Sequence, residues 1–327
     1  MRYILAADGG GTKTLAVLAR ENGEILDSFQ KGPGNFQQIG PEGLQALAKE
    51  LLHEAHRRQG IRREEIGVFV LGLAGVGRQT DRTRAEEALR GLGIGGSVKV
   101  VSDAFIALMG AFEGRPGIIV IAGTGSICFG VDEEGRLYRS GGWGYLLGDE
   151  GSGYFIGHQA LLAALKDYDG RGESTILRPR IESQFDLVEI PDIVPKIYSS
   201  DGLGKEDIAG LAPLVFECAA EGDKVARGIV ERAGKELAVM IHAVGRNMKK
   251  IAGPLEVAYV GSVFRQKEVL LPVMRDYLRR HFSGLDIHAP SFDPVLGAVI
   301  FAVKESGRPV TLEILENLRT TYRAGDS

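Results

Sequence analysis

The first residues with chemical potential form one uninterrupted run from Asp8 to Thr14, with the sequence Asp-Gly-Gly-Gly-Thr-Lys-Thr. Between two apolar strands, its glycines permit a turn that side chains would forbid. Such a turn directs several backbone N–H groups at one small volume, which suits phosphate oxygens. Asp8, at the edge of the turn, can hold Mg²⁺ through water, because this ion keeps most of its hydration shell. An ordinary β-hairpin fits the run equally well. The predicted phosphate-binding residues of this turn are Gly10, Gly11, Thr12, Lys13 and Thr14.

The pattern occurs twice. A second segment aligns with the first without a gap when residues 112 positions apart, such as Gly11 and Gly123, are compared. Each copy is predicted as an apolar strand, a Gly/Thr turn, a second strand, an acidic-glycine turn and a third strand. A repeat of this length predicts two similarly built domains rather than a solenoid. Two such turns facing one another across a cleft would hold one nucleoside triphosphate. The second turn adds the predicted phosphate-binding residues Gly123, Thr124, Gly125 and Ser126.

Asp103 is a candidate functional residue outside the two turns, because it lies where a predicted strand ends and a helix begins. Ligands of open α/β sheets bind beyond the carboxyl ends of the strands, so this position favours a functional role. An aspartate is also a good N-cap for a helix that starts at Ala104. Position alone leaves these two explanations open.

The elements that must position these residues follow from the apolar patterning. Strands are predicted near 2–8, 14–20 and 24–30, followed by helix 40–59, strand 66–73, helix 80–92, strand 98–101 and helix 104–112. The Gly/Pro break at 114–117 predicts a boundary between domains 1–115 and 116–327. In the second domain, we expect an insertion near 167–205, helices at about 206–221 and 223–249, and a strand at 255–260. A last helix at about 311–323 is expected to fold back onto the first domain.

Composition excludes several classes of protein. The 327 residues are enough for two domains with sizeable cores, and 25% charged with 44% hydrophobic residues is a globular profile. A net charge of −4 gives no electrostatic reason to expect nucleic acid or an anionic membrane as a partner. No apolar stretch approaches the roughly 20 residues that span a bilayer, and no signal peptide is predicted. The two cysteines, Cys128 and Cys218, are expected to be buried, reduced thiols of a cytoplasmic protein.

Together these residues resemble a known superfamily. The runs 8–14 and 122–126 are similar to the two phosphate loops of the sugar kinase, Hsp70 and actin superfamily. The glycine-rich runs 141–144 and 148–152 narrow the resemblance to N-acetylglucosamine kinases and the BadF/BadG/BcrA/BcrD ATPases, over nearly the whole chain. The resemblance implies an α/β fold of two actin-like (ribonuclease H-like) domains with a central cleft and a duplicated βββαβαβα architecture. It also implies ATP and Mg²⁺ as cofactors, a sugar substrate and a homodimer.

The same resemblance assigns roles to individual residues. It implies that Asp103 is the catalytic base and a sugar ligand, and that Asn35 hydrogen-bonds the sugar, although an asparagine in a Gly/Pro loop is often only a turn former. Gly261 and Ser262 resemble the adenosine motif of the superfamily, a weak signal alone, and Gly210 is implied to touch the nucleotide.

The glycine-rich run before Asp149 is the most distinctive stretch after the first turn. A carboxylate such as Asp149 can accept hydrogen bonds from two neighbouring sugar hydroxyls, and Trp143 and Gly144 are predicted beside it in the sugar site. Alternatively, Trp143 packs a loop, and Asp149 and Glu150 supply favourable charge to a helix N-terminus.

The resulting hypothesis is an ATP-dependent kinase that phosphorylates a hexose hydroxyl, with the 6-OH of N-acetylglucosamine or a related sugar as the first choice. Which of N-acetylglucosamine, glucosamine, N-acetylmuramate and glucose is used stays open. One alternative is an ATPase that activates a radical dehydratase or reductase through an iron–sulfur cluster, which needs cysteine thiolates at a dimer axis. Another is a sugar-sensing repressor, which should carry a helix-turn-helix that this sequence does not show.

Overall fold

The computed structural model describes residues 2–199, 202–248 and 253–323. It divides into two compact units. Unit 1 comprises the residues up to Arg115 together with those from Pro290 onward, and unit 2 comprises Pro116–Ala289. No helix of the described ranges is both long enough and apolar enough to cross a membrane.

The strands of the described residues form two sheets. In chain order they are β1 (Tyr3–Gly9), β2 (Thr14–Arg20), β3 (Ile25–Lys31), β4 (Ile66–Leu73), β5 (Ser97–Ser102), β6 (Gly117–Ala122), β7 (Ser126–Val131), β8 (Leu137–Gly141), β9 (Leu255–Val260) and β10 (Leu285–His288).

Helices cover these sheets and connect the strands. In chain order they are α1 (Phe36–Gln59), α2 (Gln79–Ala88), α3 (Asp103–Ala111), α4 (Gly153–Tyr168), α5 (Leu177–Gln184), α6 (Ile193–Tyr198), α7 (Lys205–Ala209), α8 (Ala212–Ala220), α9 (Lys224–Asn247), α10 (Lys267–Arg279), α11 (Pro294–Glu305) and α12 (Leu312–Thr321). Short 3₁₀ helices lie at Arg63–Glu65, Ile190–Asp192 and Ser262–Gln266.

The two sheets have the same topology. Over the described residues, each unit holds one mixed five-stranded sheet, in the order β3-β2-β1-β4-β5 in unit 1 and β8-β7-β6-β9-β10 in unit 2. In each sheet the first strand of the unit pairs antiparallel with the second and parallel with the fourth. The predicted α/β class and the predicted duplication are therefore confirmed at the level of topology.

The sheet of unit 1 is apolar on both faces, because alternate residues of its central strands point to opposite sides. One set of side chains, including Leu5 and Phe69, packs with α1 and α2. The other set, including Ile4 and Val68, packs with the apolar residues of α11 and α12. Both faces are thus covered by helices, as expected for strands that read as continuous apolar runs.

Residues from Pro290 onward correct the predicted division into 1–115 and 116–327. They group with unit 1 because α11 covers a face of the β1–β4 sheet and packs against α3. The helix α12 adds to the same core, and the Ile25 N–H donates to Thr321 Oγ1 at 2.9 Å. Sequence adjacency to β10 misled the prediction, because α11 is apolar around most of its circumference and its pattern does not say which sheet it covers.

Other differences concern boundaries inside unit 2. The stretch expected as one helix at about 206–221 is two helices, α7 and α8. The expected insertion near 167–205 contains α5, a 3₁₀ turn and α6, and its residues Ser200 and Asp201 lie outside the described residues, as does Lys249 of the helix expected at 223–249.

Candidate functional site

The first glycine turn closes as a hairpin between β1 and β2. The Gly10 N–H donates to the Lys13 carbonyl at 3.0 Å, which leaves Gly11, Thr12 and Lys13 exposed at the tip. Asp8 lies one residue before the end of β1, opposite Leu15 of β2. The turn therefore has the exposed backbone that phosphate binding requires.

The loop that carries Asn35 lies directly on this turn. The Gly34 N–H donates to the Gly10 carbonyl at 2.9 Å, and a Cβ on Gly34 would come within 2.6 Å of the Gly9 Cα, so only glycine fits there. Asn35 is the N-cap of α1, because its Oδ1 accepts from the Gln37 N–H at 3.0 Å. Its structural role and its predicted sugar contact are compatible, since the cap uses only the side-chain oxygen.

Asp103 opens α3 at the carboxyl end of β5. Ser102 is the N-cap, because its Oγ accepts from the Phe105 N–H at 3.2 Å. Asp103 is therefore not the N-cap of α3. Asp103 Oδ1 accepts from the Ala104 N–H at 2.8 Å. The side chain keeps access to solvent, yet desolvation by surrounding protein atoms raises the pKa of its carboxyl.

Asp8 is half-buried among like charges in unit 1. Desolvation, with repulsion from Asp103 and Asp293, raises the pKa of Asp8 from its ordinary value of 3.8 to about 6, while Lys13 opposes the shift. Asp293 is a residue that sequence reasoning missed, because Asp-Pro at the start of α11 indicates only a helix beginning. A divalent cation would balance this negative charge.

Asp8 also passes a test of fit for Mg²⁺. Among the described residues no group of three His, Cys, Asp or Glu side chains is arranged to hold a metal directly. An ion that keeps most of its water and takes one or two carboxylates does not need such a group. The chemistry of Asp8 therefore fits a largely hydrated Mg²⁺.

The hydroxyls of Thr14 and Ser126, at the ends of the two turns, both donate to carbonyls within the protein. Thr14 is buried, and its Oγ1 donates to the Gly32 carbonyl at 2.8 Å. Ser126, its counterpart in the repeat, is also buried, and its Oγ donates to the Glu150 carbonyl at 2.6 Å. Both hydroxyls are thus engaged inside the protein, which limits any phosphate contact of these two residues to the backbone.

The second glycine turn is joined to the beginning of α4. The Gly123 N–H donates to the Gly125 carbonyl at 2.9 Å and closes the turn. The Gly153 N–H donates to the Gly123 carbonyl at 2.8 Å, and the Tyr154 N–H donates to the Thr124 carbonyl at 3.2 Å. Helix α4 therefore fixes the position of this turn within unit 2.

A cavity of about 450 Å³ opens beside the second turn, within the range of small-molecule sites. The turn, the α7–α8 corner and the 3₁₀ helix after β9 form its walls. Its lining residues are Gly123, Thr124, Gly153, Glu206, Ala209, Gly210, Ala212, Pro213, Phe216, Ser262, Val263, Arg265 and Gln266. Four residues predicted from the sequence, Gly123, Thr124, Gly210 and Ser262, are thus brought together in one cavity.

Gly261 precedes this wall and has a conformation that only glycine adopts easily. Its φ is 113°, and a Cβ would lie 2.2 Å from the Ala122 carbonyl oxygen at the end of β6. The α7–α8 wall, with Glu206 and Phe216, was missed because Gly210 and Pro213 were taken as interior to one helix. Gly210 and Pro213 could have indicated the break between α7 and α8, since Gly and Pro mark helix boundaries.

Asp149 is buried against the second turn. Its φ of 61° is unusual for a residue with a side chain, and a Cβ on Gly125 would lie 2.7 Å from its Oδ2. The Lys205 Nζ donates to that Oδ2 at 3.1 Å. Helix α4 begins only at Gly153 with Ser152 as N-cap, so Asp149 is not one of its first-turn charges.

Trp143 lies in the loop after β8 and is 65% exposed. The guanidinium carbon of Arg139 lies 4.5 Å from the centre of its ring, a cation–π distance. Gly144 follows with a φ of 85°, and Leu146 and Leu147 are exposed beyond it. This loop presents aromatic and apolar surface, as a sugar-binding loop would.

Comparisons with known proteins agree with this geometry. The family model described as "BadF/BadG/BcrA/BcrD ATPase family" matches residues 7–302. A curated N-acetylmuramic acid/N-acetylglucosamine kinase from Clostridium acetobutylicum is 38% identical over 305 residues, covering 93% of this chain and 99% of the relative. An N-acetyl-D-glucosamine kinase from Dictyostelium discoideum is 30% identical over 91% of this chain and 97% of its own. The solved structure of a protein from Chromobacterium violaceum, provisionally named an N-acetylglucosamine kinase, superposes with a TM-score of 0.67 at 27% identity, covering 92% of this chain and 99% of that one.

Proposed function

Because the chain belongs to the BadF/BadG/BcrA/BcrD ATPase family, we propose that it is an ATP-dependent kinase of an amino sugar. The relatives that it matches over almost their whole length are named as kinases of N-acetylglucosamine or N-acetylmuramic acid. The reaction moves the γ-phosphoryl group of ATP to a sugar hydroxyl, with the 6-OH of N-acetylglucosamine or a related hexose as the first choice.

The observation that carries this proposal is the position and environment of Asp103. A solvent-accessible carboxylate with a raised pKa, at the carboxyl end of a parallel strand, is suited to accept a proton from a hydroxyl. In the proposed step the sugar oxygen bonds to the γ-phosphorus, the bond from that phosphorus to the β-phosphate oxygen breaks, and the hydroxyl proton passes to Asp103. Phosphoryl transfer asks mainly for positioning and charge stabilisation, which the remaining residues supply.

The remaining roles divide between nucleotide and sugar. Backbone N–H groups of 10–14 and 123–126 would hold phosphates, and the cavity with Gly210 and Ser262 would take the nucleoside beside Gly261. Asn35, Trp143, Gly144 and Asp149 would bind the sugar. Mg²⁺, held through water near Asp8, would neutralise charge on the phosphates when bound.

The activator alternative is disfavoured by the cysteines. Cys128 and Cys218 are both buried, and burial raises the pKa of each thiol. Iron–sulfur ligation needs accessible thiolates, which these positions do not favour. Homodimerisation stays a prediction of the family resemblance, to be checked by light scattering. A cytoplasmic location stays a prediction of the cysteine usage, to be checked by cell fractionation.

A coupled ADP-release assay tests the proposal. Wild type with Mg²⁺ and ATP should release ADP only when N-acetylglucosamine, glucosamine, N-acetylmuramate or glucose is present, with a clear preference among the four. Asp103→Asn should lower the sugar-dependent rate by at least ~10²-fold, because the hydroxyl loses its proton acceptor.

The matched control is Asp276→Asn, which changes an exposed aspartate of α10 whose partner is Arg280. It should leave the rate within about twofold, since exposed ion pairs contribute little. ADP release that is independent of sugar, or absent with all four sugars, would reject the kinase proposal.

A further inference from the structure

One ion pair joins a proposed sugar-binding residue to a wall of the nucleotide cavity. The Lys205 Nζ lies 3.1 Å from Asp149 Oδ2, and the carboxylate side chain is only 5% exposed while that of the lysine is 27% exposed. The same Nζ lies 5.8 Å from the centre of the Tyr145 ring, on the loop that carries Trp143. Lys205 thus contacts one residue proposed to bind the sugar, Asp149, and lies beside the loop that carries another, Trp143.

Burial makes this pair different from an exposed one. The Arg280–Asp276 pair has both side chains in water, where an ion pair contributes little to stability. Asp149 is shielded, and a buried carboxylate without a counter-charge is strongly unfavourable. The ammonium of Lys205 therefore balances the charge of Asp149 and restricts where its carboxylate can point.

Lys205 is also the first residue of α7, and part of this short helix and of its C-cap faces the cavity. Glu206, Ala209 and Gly210 all line it. The turn is packed tightly, because a Cβ on Gly157 of α4 would lie 1.9 Å from the Ile208 carbonyl oxygen. A ligand that contacts the cavity wall therefore acts on the same packed helical turn that carries Lys205.

We propose that Lys205 is a positioning residue for Asp149, and that α7 couples nucleotide binding in the cavity to sugar binding at Asp149. This inference rests on the proposed kinase function. An occupied cavity fixes α7, α7 fixes Lys205, and Lys205 holds the carboxylate in the orientation that accepts the sugar hydroxyls. Lys205 itself touches neither reacting group.

The test compares wild type with Lys205→Met, which keeps the aliphatic stem but removes the charge, and Lys205→Arg, which keeps the charge. Steady-state ADP release gives KM for N-acetylglucosamine and for ATP separately. Calorimetry gives the affinity for N-acetylglucosamine with and without Mg²⁺ and the non-hydrolysable analogue AMP-PNP.

Three results are expected. Lys205→Met raises the KM for N-acetylglucosamine by about tenfold or more, because Asp149 loses its counter-charge, while the KM for ATP changes by less than about threefold. Lys205→Arg reverses most of this increase in the KM for N-acetylglucosamine. AMP-PNP tightens sugar binding in wild type, and this gain falls towards onefold in Lys205→Met.

The control is Lys99→Met, which removes another lysine that pairs with one acid, Glu305, in unit 1. It should change neither the sugar KM nor the coupling. A sugar KM within twofold of wild type in Lys205→Met, an equal loss in Lys205→Arg, or sugar binding to wild type that AMP-PNP does not change would each overturn the inference. Wild type without sugar-dependent ADP release would instead reject the proposed function, and this role with it.

Discussion

Asp8 illustrates how a single residue can be unfavourable for folding and favourable for function. Its carboxylate is half-buried on β1 and lies near two further acids, so its charged form is destabilised in the free protein. Its folded pKa of about 6 lies above the ordinary 3.8. The folded protein therefore binds the proton more tightly than the unfolded chain, and the free energy of unfolding decreases as pH rises from about 4 to about 6.

Asp8→Asn should consequently stabilise the protein at pH 7 while lowering its activity. A shift of about two pKa units at about 1.4 kcal/mol each sets an upper limit near 3 kcal/mol, so we expect a gain of ~1–3 kcal/mol at pH 7 and none near pH 4. Urea unfolding at the two pH values measures this. Asp276→Asn should show no such pH-dependent gain, and a loss of stability in Asp8→Asn at pH 7 would contradict the account.

At the scale of single residues, the sequence predicted the glycine turns better than it predicted the contacts of individual side chains. Spacing alone indicated the glycine turns at 10–13 and 123–125 because glycine patterns report backbone conformation directly. It did not reveal that Thr14 and Ser126 turn inward, since a hydroxyl beside a turn looks the same whether it faces a ligand or a carbonyl. Nor did it reveal Lys205, which is distant from Asp149 in sequence and belongs to no motif.

Within each unit, a hydrogen bond of the same kind joins the second strand to the segment that follows the third strand. The first residue of the second strand, Thr14 in β2 and Ser126 in β7, donates its hydroxyl to a carbonyl that follows the third strand. The loops fixed by these bonds carry Asn35 in unit 1 and Asp149 in unit 2. The internal duplication thus extends from strand order to individual hydrogen bonds.

Thr14→Val tests this attachment with a side chain of the same shape. It leaves the Gly32 carbonyl without its donor, which should cost ~1–3 kcal/mol of stability and raise the sugar KM more than the ATP KM, because the Asn35 loop loosens. Thermal unfolding and ADP release measure the two effects.

The matched control for this substitution is Thr83→Val, which removes an exposed hydroxyl that donates to Gln79 within α2. It should change stability by less than about 0.5 kcal/mol and leave both KM values unchanged. Equal effects of the two variants would mean that the Thr14 bond has no special role.

At the scale of the whole molecule, the chain leaves unit 1 at Arg115 and returns to it at Pro290. The strand order of each sheet was predictable because the repeat and the alternation of strand and helix constrain topology. The return of α12 to unit 1 was predicted, whereas that of α11 was not, because the apolar pattern of α11 reports burial without identifying the partner. Packing against α3 and the unit 1 sheet settles that question in the structure.

Two glycines provide a matched test of this return. A Cβ on Gly297 of α11 would lie 1.9 Å from the Ile106 carbonyl oxygen of α3, whereas Gly228 of α9 has open space around it. Gly297→Ala should therefore destabilise the protein by ~2 kcal/mol or more and lower the activity that depends on Asp103 at the start of α3. Gly228→Ala should stabilise by ~0.5–1 kcal/mol, as alanine does at open helical positions.

Denaturant unfolding with both variants measures these changes. A stability of Gly297→Ala equal to that of wild type would contradict the close packing of α11 on α3.

The return of the chain at Pro290 also bears on biosynthesis. While the ribosome translates Pro116–Ala289, the nascent unit 1 sheet lacks α11, the helix that covers Ile4 and Val68 on one face. At roughly 5–20 residues per second this interval lasts about ten to thirty-five seconds. Unit 2 is continuous in sequence and can begin to fold during that time. The earliest segment of the polypeptide is therefore the last to be finished, and its uncovered apolar face is where a chaperone would bind the nascent chain.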